Sequence, residues 1–384
     1  MINQSAYLPL ERKIISSKNR FVLLKKDLIE INKDFKKNNL LITGAAGSIG
    51  SQFVKDIIKF NFNFKSLILL DKNENQLTEL NRELLLLKNF KINKVNFICS
   101  DLTFLNLDSL LVSKEITHYL NFAAVKHVRS EENIESIKYM IKTNAMSFLP
   151  KKKNKLRKIF SVSTDKTVNP SSILGITKHM MELNLNKFSK NKNLFVSSAR
   201  FANVSFSNGS ILKYVVDRIL SKKPFGIPNK VRRFFITHEE ASSLCFKALL
   251  KNNNNRIVVP NPKHLNKDFL IKDLVSKITK YYGYNAKYNK KYFKNVINNK
   301  NYNILLTRPN NHGQKLSEEL LSKNERIYQF NDDSYISTDL PNFEVDLGNK
   351  ILLASSIFKI KKIFKKNFNN YTFSNKVLSV SKTI

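Results

Sequence analysis

The chain has little cysteine, glycine, proline or acid, and no tryptophan. Its two cysteines, Cys99 and Cys245, form no CxxC pair and no metal-ligand spacing, which excludes a disulfide scaffold and a thiolate metal centre. They read as small buried apolar residues in a reducing compartment. With 9 Gly and 9 Pro in 384 residues, collagen-like and low-complexity chains are excluded. No apolar run approaches the roughly 18–20 residues that cross a bilayer. Runs such as Leu67–Leu70 and Leu84–Leu87 are a single strand or turn of helix. The opening MINQSAYLPLERK lacks the basic-then-apolar pattern of a secretion signal, so a cytoplasmic location is expected.

Acid is outnumbered, with 30 Asp and Glu against 66 Lys and Arg, a net charge of +36. Only 12 of those bases are Arg. A nucleic-acid surface favours Arg clustered with aromatics. Here Lys is spread along the whole chain, so the charge reads as a solvated surface and nucleic acid is not an expected partner. Attraction to phosphates or anionic lipid is the lesser reading. What is present suffices for one large core or two smaller ones: 42% hydrophobic residues, with 28 Phe and 13 Tyr.

Residues 1–38 form a charged N-terminal extension in which Phe21–Phe35 has the spacing of a short amphipathic helix. From Asn39 short apolar runs alternate with helical patterns. Strands are expected at Leu40–Ile42, Ser66–Leu70, Val95–Cys99, Thr117–Ala123, Lys158–Ser163 and Leu194–Arg200. Helices are expected at Ser51–Phe60, Gln76–Leu87 and Ile173–Phe188. This alternation predicts an α/β fold with a doubly wound parallel sheet of Rossmann type over 39–205. A smaller region follows at 206–345, with helices expected at Ile211–Leu220, Glu239–Leu250, Leu270–Tyr281 and Lys315–Leu321, and polar loops at Asn252–Asn255 and Asn298–Asn303. The tail at 346–384 is basic, and Ile351–Phe364 is amphipathic; a solvated terminal helix is the plainer reading, a membrane-surface or partner contact the other.

Thr43–Gly50 reads TGAAGSIG, directly after the first strand and before a helix. Gly44 permits the tight turn, Gly47 lets backbone approach a pyrophosphate, and Gly50 allows close helix packing, with Ser48 and Ile49 opening the helix whose N-terminus faces the anion. Asp71 ends the second strand, 21 positions after Gly50, where a carboxylate accepts the adenosine ribose hydroxyls. NAD is therefore favoured over NADP, although Lys72 next door would suit a 2′-phosphate. Asp101 and Leu102 follow the third strand; Asp101 suits the adenine amine or a plain surface turn. Ala123 and Ala124 end the fourth strand, where small residues let a cofactor lie close. No metal site is expected.

Ser163–Lys178 reads STDKTVNPSSILGITK. With LLITGAAGSIGSQ upstream and FAAVKHV at Phe122–Val128, the chain resembles the polysaccharide-biosynthesis, CapD-like branch of extended short-chain dehydrogenases/reductases, the nucleoside-diphosphate-sugar 4,6-dehydratases acting on UDP-N-acetylglucosamine. RFANVSFSNGS (Arg200–Ser210), RRFFIT (Arg232–Thr237) and HGQKLSEELL (His312–Leu321) match further blocks in the same order, and the resemblance runs from about residue 20 to 340. It implies a homo-oligomeric lyase in surface-polysaccharide or modified-sugar synthesis. Hydride leaves C4 of the sugar, the C5 proton and C6 hydroxyl depart, and hydride returns to C6. By the same resemblance Asp165 and Lys166 are the acid/base pair, Thr164 binds the C4 oxygen, and Lys178 holds the nicotinamide ribose. Lys126 and His127 would line the sugar pocket, Asn203 and Arg233 the diphosphate, Ser210 the nucleotide loop, and Glu318 or Glu319 the uridine ribose. Taken singly, each of these has a bland reading as a solvated charge or a turn cap.

Departures from the family pattern qualify this. Leu174 stands four residues before Lys178, where such reductases usually carry a Tyr base. Configuration-retaining members of the branch often have Met there and inverting members keep Tyr, so the retaining type is implied, with Asp165 or a water it holds as the C4 base. The stretch from Asn144 to Ser163 is short, Met146, Ser147 and Phe148 replace small residues, Gln314 replaces a Glu, and the N-terminal membrane helices of some members are absent. Alternative readings are a UDP-N-acetylhexosamine 4-epimerase and a catalytically impaired homologue that binds NAD and nucleotide sugar.

Overall fold

The computed structural model describes residues 7–126, 131, 133–152, 154–265, 268–291, 293, 295–307, 318–329, 334–341 and 347–368. In chain order the helices are α1 (Leu8–Ile14), α2 (Lys25–Phe35), α3 (Ser48–Lys59), α4 (Glu74–Leu85), α5 (Leu107–Ser113), α6 (Ile134–Ile141), α7 (Ile173–Ser189), α8 (Ile211–Leu220), α9 (His238–Ala248), α10 (Ile271–Tyr281), α11 (Leu347–Leu352) and α12 (Ile357–Asn367). Strands β1 (Asn39–Thr43), β2 (Ser66–Asp71), β3 (Val95–Cys99), β4 (His118–Asn121), β5 (Lys158–Thr164) and β6 (Phe195–Phe201) run parallel in the order β3-β2-β1-β4-β5-β6. Every residue of β1 is buried, as a strand covered by helices on both faces requires. The order reverses between β1 and β4, and such a switch point opens a crevice at the carboxyl ends of the strands.

The sheet has nine strands because Arg256–Pro260 joins parallel to β6, and Tyr335–Asp339 and Ile327–Gln329 add antiparallel beyond it. Residues far beyond 205 thus complete the sheet that carries the glycine turn. Helix α3 presents Phe53, Val54, Ile57 and Ile58 inward at helical spacing. Phe53 stacks on Phe246 of α9 with ring centroids 4.1 Å apart, locking one face of the sheet.

A second core gathers α8, α10 and the small strands around Ile227 and Tyr302. Tyr7, Leu10, Ile14 and Ile15 of the N-terminal extension belong to it. The extension is also tied down by charge. Glu11 accepts hydrogen bonds from Ser205 (2.5 Å) and lies 2.8 Å from His238 Nδ1, and Arg20 pairs with Glu240 at 2.7 Å. A third core packs α6 and α7 against α11 and α12.

Three expectations fail. Cys99, read as a buried apolar residue, is exposed because it ends the edge strand β3, whereas Cys245 is buried. Asn298–Asn303, read as a polar loop, is the turn of a hairpin between Ile297–Asn298 and Asn301–Thr307. Asn299 takes φ +52°, a conformation Asn tolerates, and the flanking strands hide their apolar residues behind a polar turn. Of the helix expected at Lys315–Leu321, residues 315–317 lie outside the described residues and 318–321 are irregular. Glu318 and Glu319 are instead held by the site described next, and Leu320 is buried in the main core. Among the described residues no helix is long and apolar enough to cross a membrane.

Candidate functional site

The glycine turn joins β1 to α3 at the switch point. Gly44 takes φ +69°, and a Cβ there would stand 2.5 Å from the Ala123 nitrogen at the end of β4. At Gly50 a Cβ would strike the Gly44 carbonyl oxygen. Both glycines are therefore required by close approach. Gly47 is the N-cap of α3, and no side chain caps that helix, so its first amides (Ser48, Ile49 and Gly50) keep their donors for an outside anion. Asp71 accepts from the Ala46 amide (3.0 Å) and the Asn73 amide (3.0 Å), which pins the end of β2 to the glycine turn. Each carboxylate oxygen retains a lone pair for a ribose hydroxyl. A dinucleotide fits this cradle.

Asp101 is engaged on both sides. Its Oδ1 accepts from the Thr103 amide and hydroxyl (both 2.8 Å), and its Oδ2 from the Tyr139 hydroxyl (2.5 Å). Lys72 donates to the same Tyr139 oxygen (2.7 Å) and lies over its ring. Tyr139 thus links the two residues weighed for the adenosine end, Lys72 and Asp101, a link that no local pattern signals. Leu102 is buried in the main core, and Ile49 and Ala123 pack against that core; Ala124 is exposed. The Ala123 amide donates to Asn121 (3.2 Å), itself bonded to Thr43 (2.7 Å).

The reaction side lies at the carboxyl end of β5. Thr164 donates to Asp165 Oδ1 (2.9 Å), and Lys166 Nζ reaches the same oxygen (2.9 Å). Asp165 is almost wholly buried. Burial favours the neutral amine of Lys166, but Asp165 and Glu318 outweigh it and raise its pKa. Glu318 stands 4.0 Å from Lys166 and 3.9 Å from the buried Arg233 guanidinium. Glu318 therefore bridges two cations beside the Asp165–Lys166 pair. Glu319 accepts from Asn169 (3.0 Å) instead.

Lys126 is exposed and donates to Ser207 (3.3 Å). The next residue of that loop, Asn208, donates its amide to Ser48 (2.9 Å), so one loop touches both Lys126 and the cofactor helix. Ser210 caps α8 by accepting from the Lys213 amide, and Asn203 donates to the Phe234 carbonyl (3.3 Å). His127 lies outside the described residues.

Helix α7 starts where Ser172 accepts from the Gly175 amide (3.1 Å). Only a glycine at 175 lets the Lys166 carbonyl sit against the helix. Lys178 is buried and donates to the Val162 carbonyl (2.9 Å); burial lowers its pKa to about 8 even though Glu182 pulls the other way. Leu174 packs into the third core, and its amide donates to Glu131 (3.0 Å).

Two supports escaped the sequence reading. Glu182 accepts from Ser163 (2.5 Å) and Thr167 (3.2 Å), one on each side of the Thr164–Lys166 segment, and pairs with Arg200 at 2.8 Å. Arg200 turns to Glu325 at 2.8 Å, and the two carboxylates keep this buried guanidinium charged. Asn144, fully buried in a π-helical turn at Lys142–Met146, exchanges bonds with Val125 N and O (2.8 and 2.9 Å) and donates to Thr177 (3.0 Å). It ties the Lys126 loop to α7. A buried Glu facing an Arg outside any motif could be suspected only from its helical register with Lys178.

The sheet order and the uncapped glycine turn define a Rossmann-type doubly wound α/β fold. Residues 40–339 match the polysaccharide biosynthesis protein family, and the chain belongs to it. It is 28% identical over 342 residues to the capsular polysaccharide biosynthesis protein CapD of Staphylococcus aureus, a match covering 84% of this chain and 53% of that one. The chain thus spans about half the length of that relative. It is 24% identical over 235 residues to a UDP-N-acetylglucosamine 4,6-dehydratase (inverting) of Campylobacter jejuni, over 59% of this chain and 67% of that one. Among solved structures, Pen from Bacillus thuringiensis has the same fold, with a TM-score of 0.61 at 20% identity over 88% of this chain and 99% of that one.

Proposed function

We propose that the chain is an NAD-dependent 4,6-dehydratase of UDP-N-acetylglucosamine that retains the configuration at C5. The observation that carries this reading is the Asp165–Lys166 pair at 2.9 Å, with the apolar Leu174 at the position where a Tyr base is usual. An oxidation alone needs one base. A buried carboxylate and a buried amine side by side supply two proton carriers, as elimination of water requires.

In this reading Gly44–Gly50, Asp71 and Lys178 hold the dinucleotide, and when bound its nicotinamide supplies a hydride acceptor regenerated within each cycle. Asp165 takes the C4 hydroxyl proton and later delivers it to the departing C6 hydroxyl, which leaves as water. Lys166 takes the C5 proton and returns it to C5. Protonation of Asp165 removes the larger of the two charges that hold Lys166 above its ordinary pKa, leaving Glu318 at 4.0 Å. Burial and the neighbouring Arg233 then favour the neutral amine, its proton passing to solvent. Because one group removes and returns the C5 proton on one face, the configuration is kept. Thr164 binds the C4 oxygen, Lys126 lines the sugar pocket, and Asn203 and Arg233 meet the diphosphate.

The test is incubation of the purified protein with NAD and UDP-N-acetylglucosamine, with the product read by mass. Loss of one water supports dehydration. An isomer of unchanged mass, UDP-N-acetylgalactosamine, would establish 4-epimerisation instead, and unchanged substrate with bound NAD would establish an impaired homologue.

A further inference from the structure

Helix α12 packs inward with Ile360 and Phe364, both fully buried against α6 and α7. At 3.6 residues per turn the opposite side carries Phe358, Lys362, Lys365 and Lys366, with Lys359 and Lys361 at its margins. Lys359, Lys362, Lys365 and Lys366 are exposed, and Phe358, at the middle of this face, is 69% exposed. The segment just before the helix exposes Leu353 at 85%. No Asp or Glu occurs anywhere from Leu347 to Ile384, so nothing in that stretch neutralises the lysines. The outer face is therefore preformed: its helix is anchored by its apolar side and needs no partner to fold.

We propose that this face docks on an anionic lipid surface. Lys361 lies toward Glu131, and the four exposed lysines are complementary to a negative headgroup layer, with a large apolar side chain at their centre placed to enter the interface between headgroups and acyl chains. The face has no Arg, which weighs against nucleic acid as the occupant. Each lysine brought to an anionic leaflet strengthens binding about fivefold. Four exposed ones together amount to a factor on the order of several hundred, which is enough for reversible attachment. The proposal does not depend on the reaction assigned above.

The full chain is sedimented at physiological salt with vesicles of mixed phosphatidylglycerol and phosphatidylcholine, and with vesicles of phosphatidylcholine alone. Binding to the mixed vesicles only is expected. The variant K362E/K365E/K366E is expected to lose at least about a hundredfold in affinity. A control with the same charge change at exposed lysines elsewhere, K263E/K277E/K280E, is expected to bind like the parent. F358A keeps every charge and is expected to weaken binding about fivefold to tenfold. NAD titration of each variant checks that it is folded. Equal loss in both lysine variants, equal binding to neutral vesicles, no binding to anionic vesicles, or α12-dependent retention of RNA in place of vesicles would each overturn the proposal.

Discussion

The cofactor side and the reaction side of the crevice are built on different principles. Between Thr43 and Asp71 the work is done by backbone: uncapped amides of α3, a glycine at positive φ, and a carboxylate pinned by two main-chain N–H groups. Between Lys126 and Glu318 it is done by side chains drawn from distant parts of the chain, coupled by charge. A backbone site tolerates many neighbours but no added Cβ. A side-chain site tolerates small shifts but not the loss of a charge.

Asp165→Asn should separate the two sides most sharply. It is expected to slow turnover by about 10²–10⁴-fold while NAD affinity, measured by titration, stays unchanged. A parallel loss of NAD binding would mean the two sides are not independent. Glu182→Gln comes next. It removes the charge facing a buried Arg200 and two hydroxyl partners flanking the catalytic segment, and should cost about 3 kcal/mol of stability in urea denaturation. Gly50→Ala should cost about 1–3 kcal/mol by overpacking against the Gly44 carbonyl, with NAD affinity falling as well. If stability falls but NAD affinity does not, the glycine turn is not the cofactor site. The smallest effect is with pH. Burial holds Lys178 near pKa 8, so it is charged below that value and neutral above it. Turnover that relies on its charge should decline as pH rises through about 8, by up to about tenfold per pH unit. A profile flat to well above that range would show that the charge is not needed.

The cofactor side was nearly all legible because its signals are local. TGAAGSIG between an apolar run and a helical pattern leaves few alternatives, and Asp71 follows at the expected distance. Most strands and helices of the main sheet lie within a few residues of their expected limits, since their apolar runs are bounded by turns. The reaction side was legible only through resemblance. Periodicity alone could not pair Lys166 with Glu318, nor Glu182 with Arg200 and Glu325, because nothing local records a contact across the sheet. Tyr139 was hidden in an ordinary amphipathic helix, and the Asn299 hairpin in a run that looks like a polar linker. The three final sheet strands were missed because they are short and separated by irregular chain.

The most direct test of paired proton transfer at Asp165 and Lys166 is proton NMR of UDP-N-acetylglucosamine incubated with the protein and NAD in deuterium oxide. The account predicts a 4-keto-6-deoxy sugar that carries solvent deuterium at C5 with its original configuration. A C4 epimer with C5 still protonated, or an inverted C5, would contradict it.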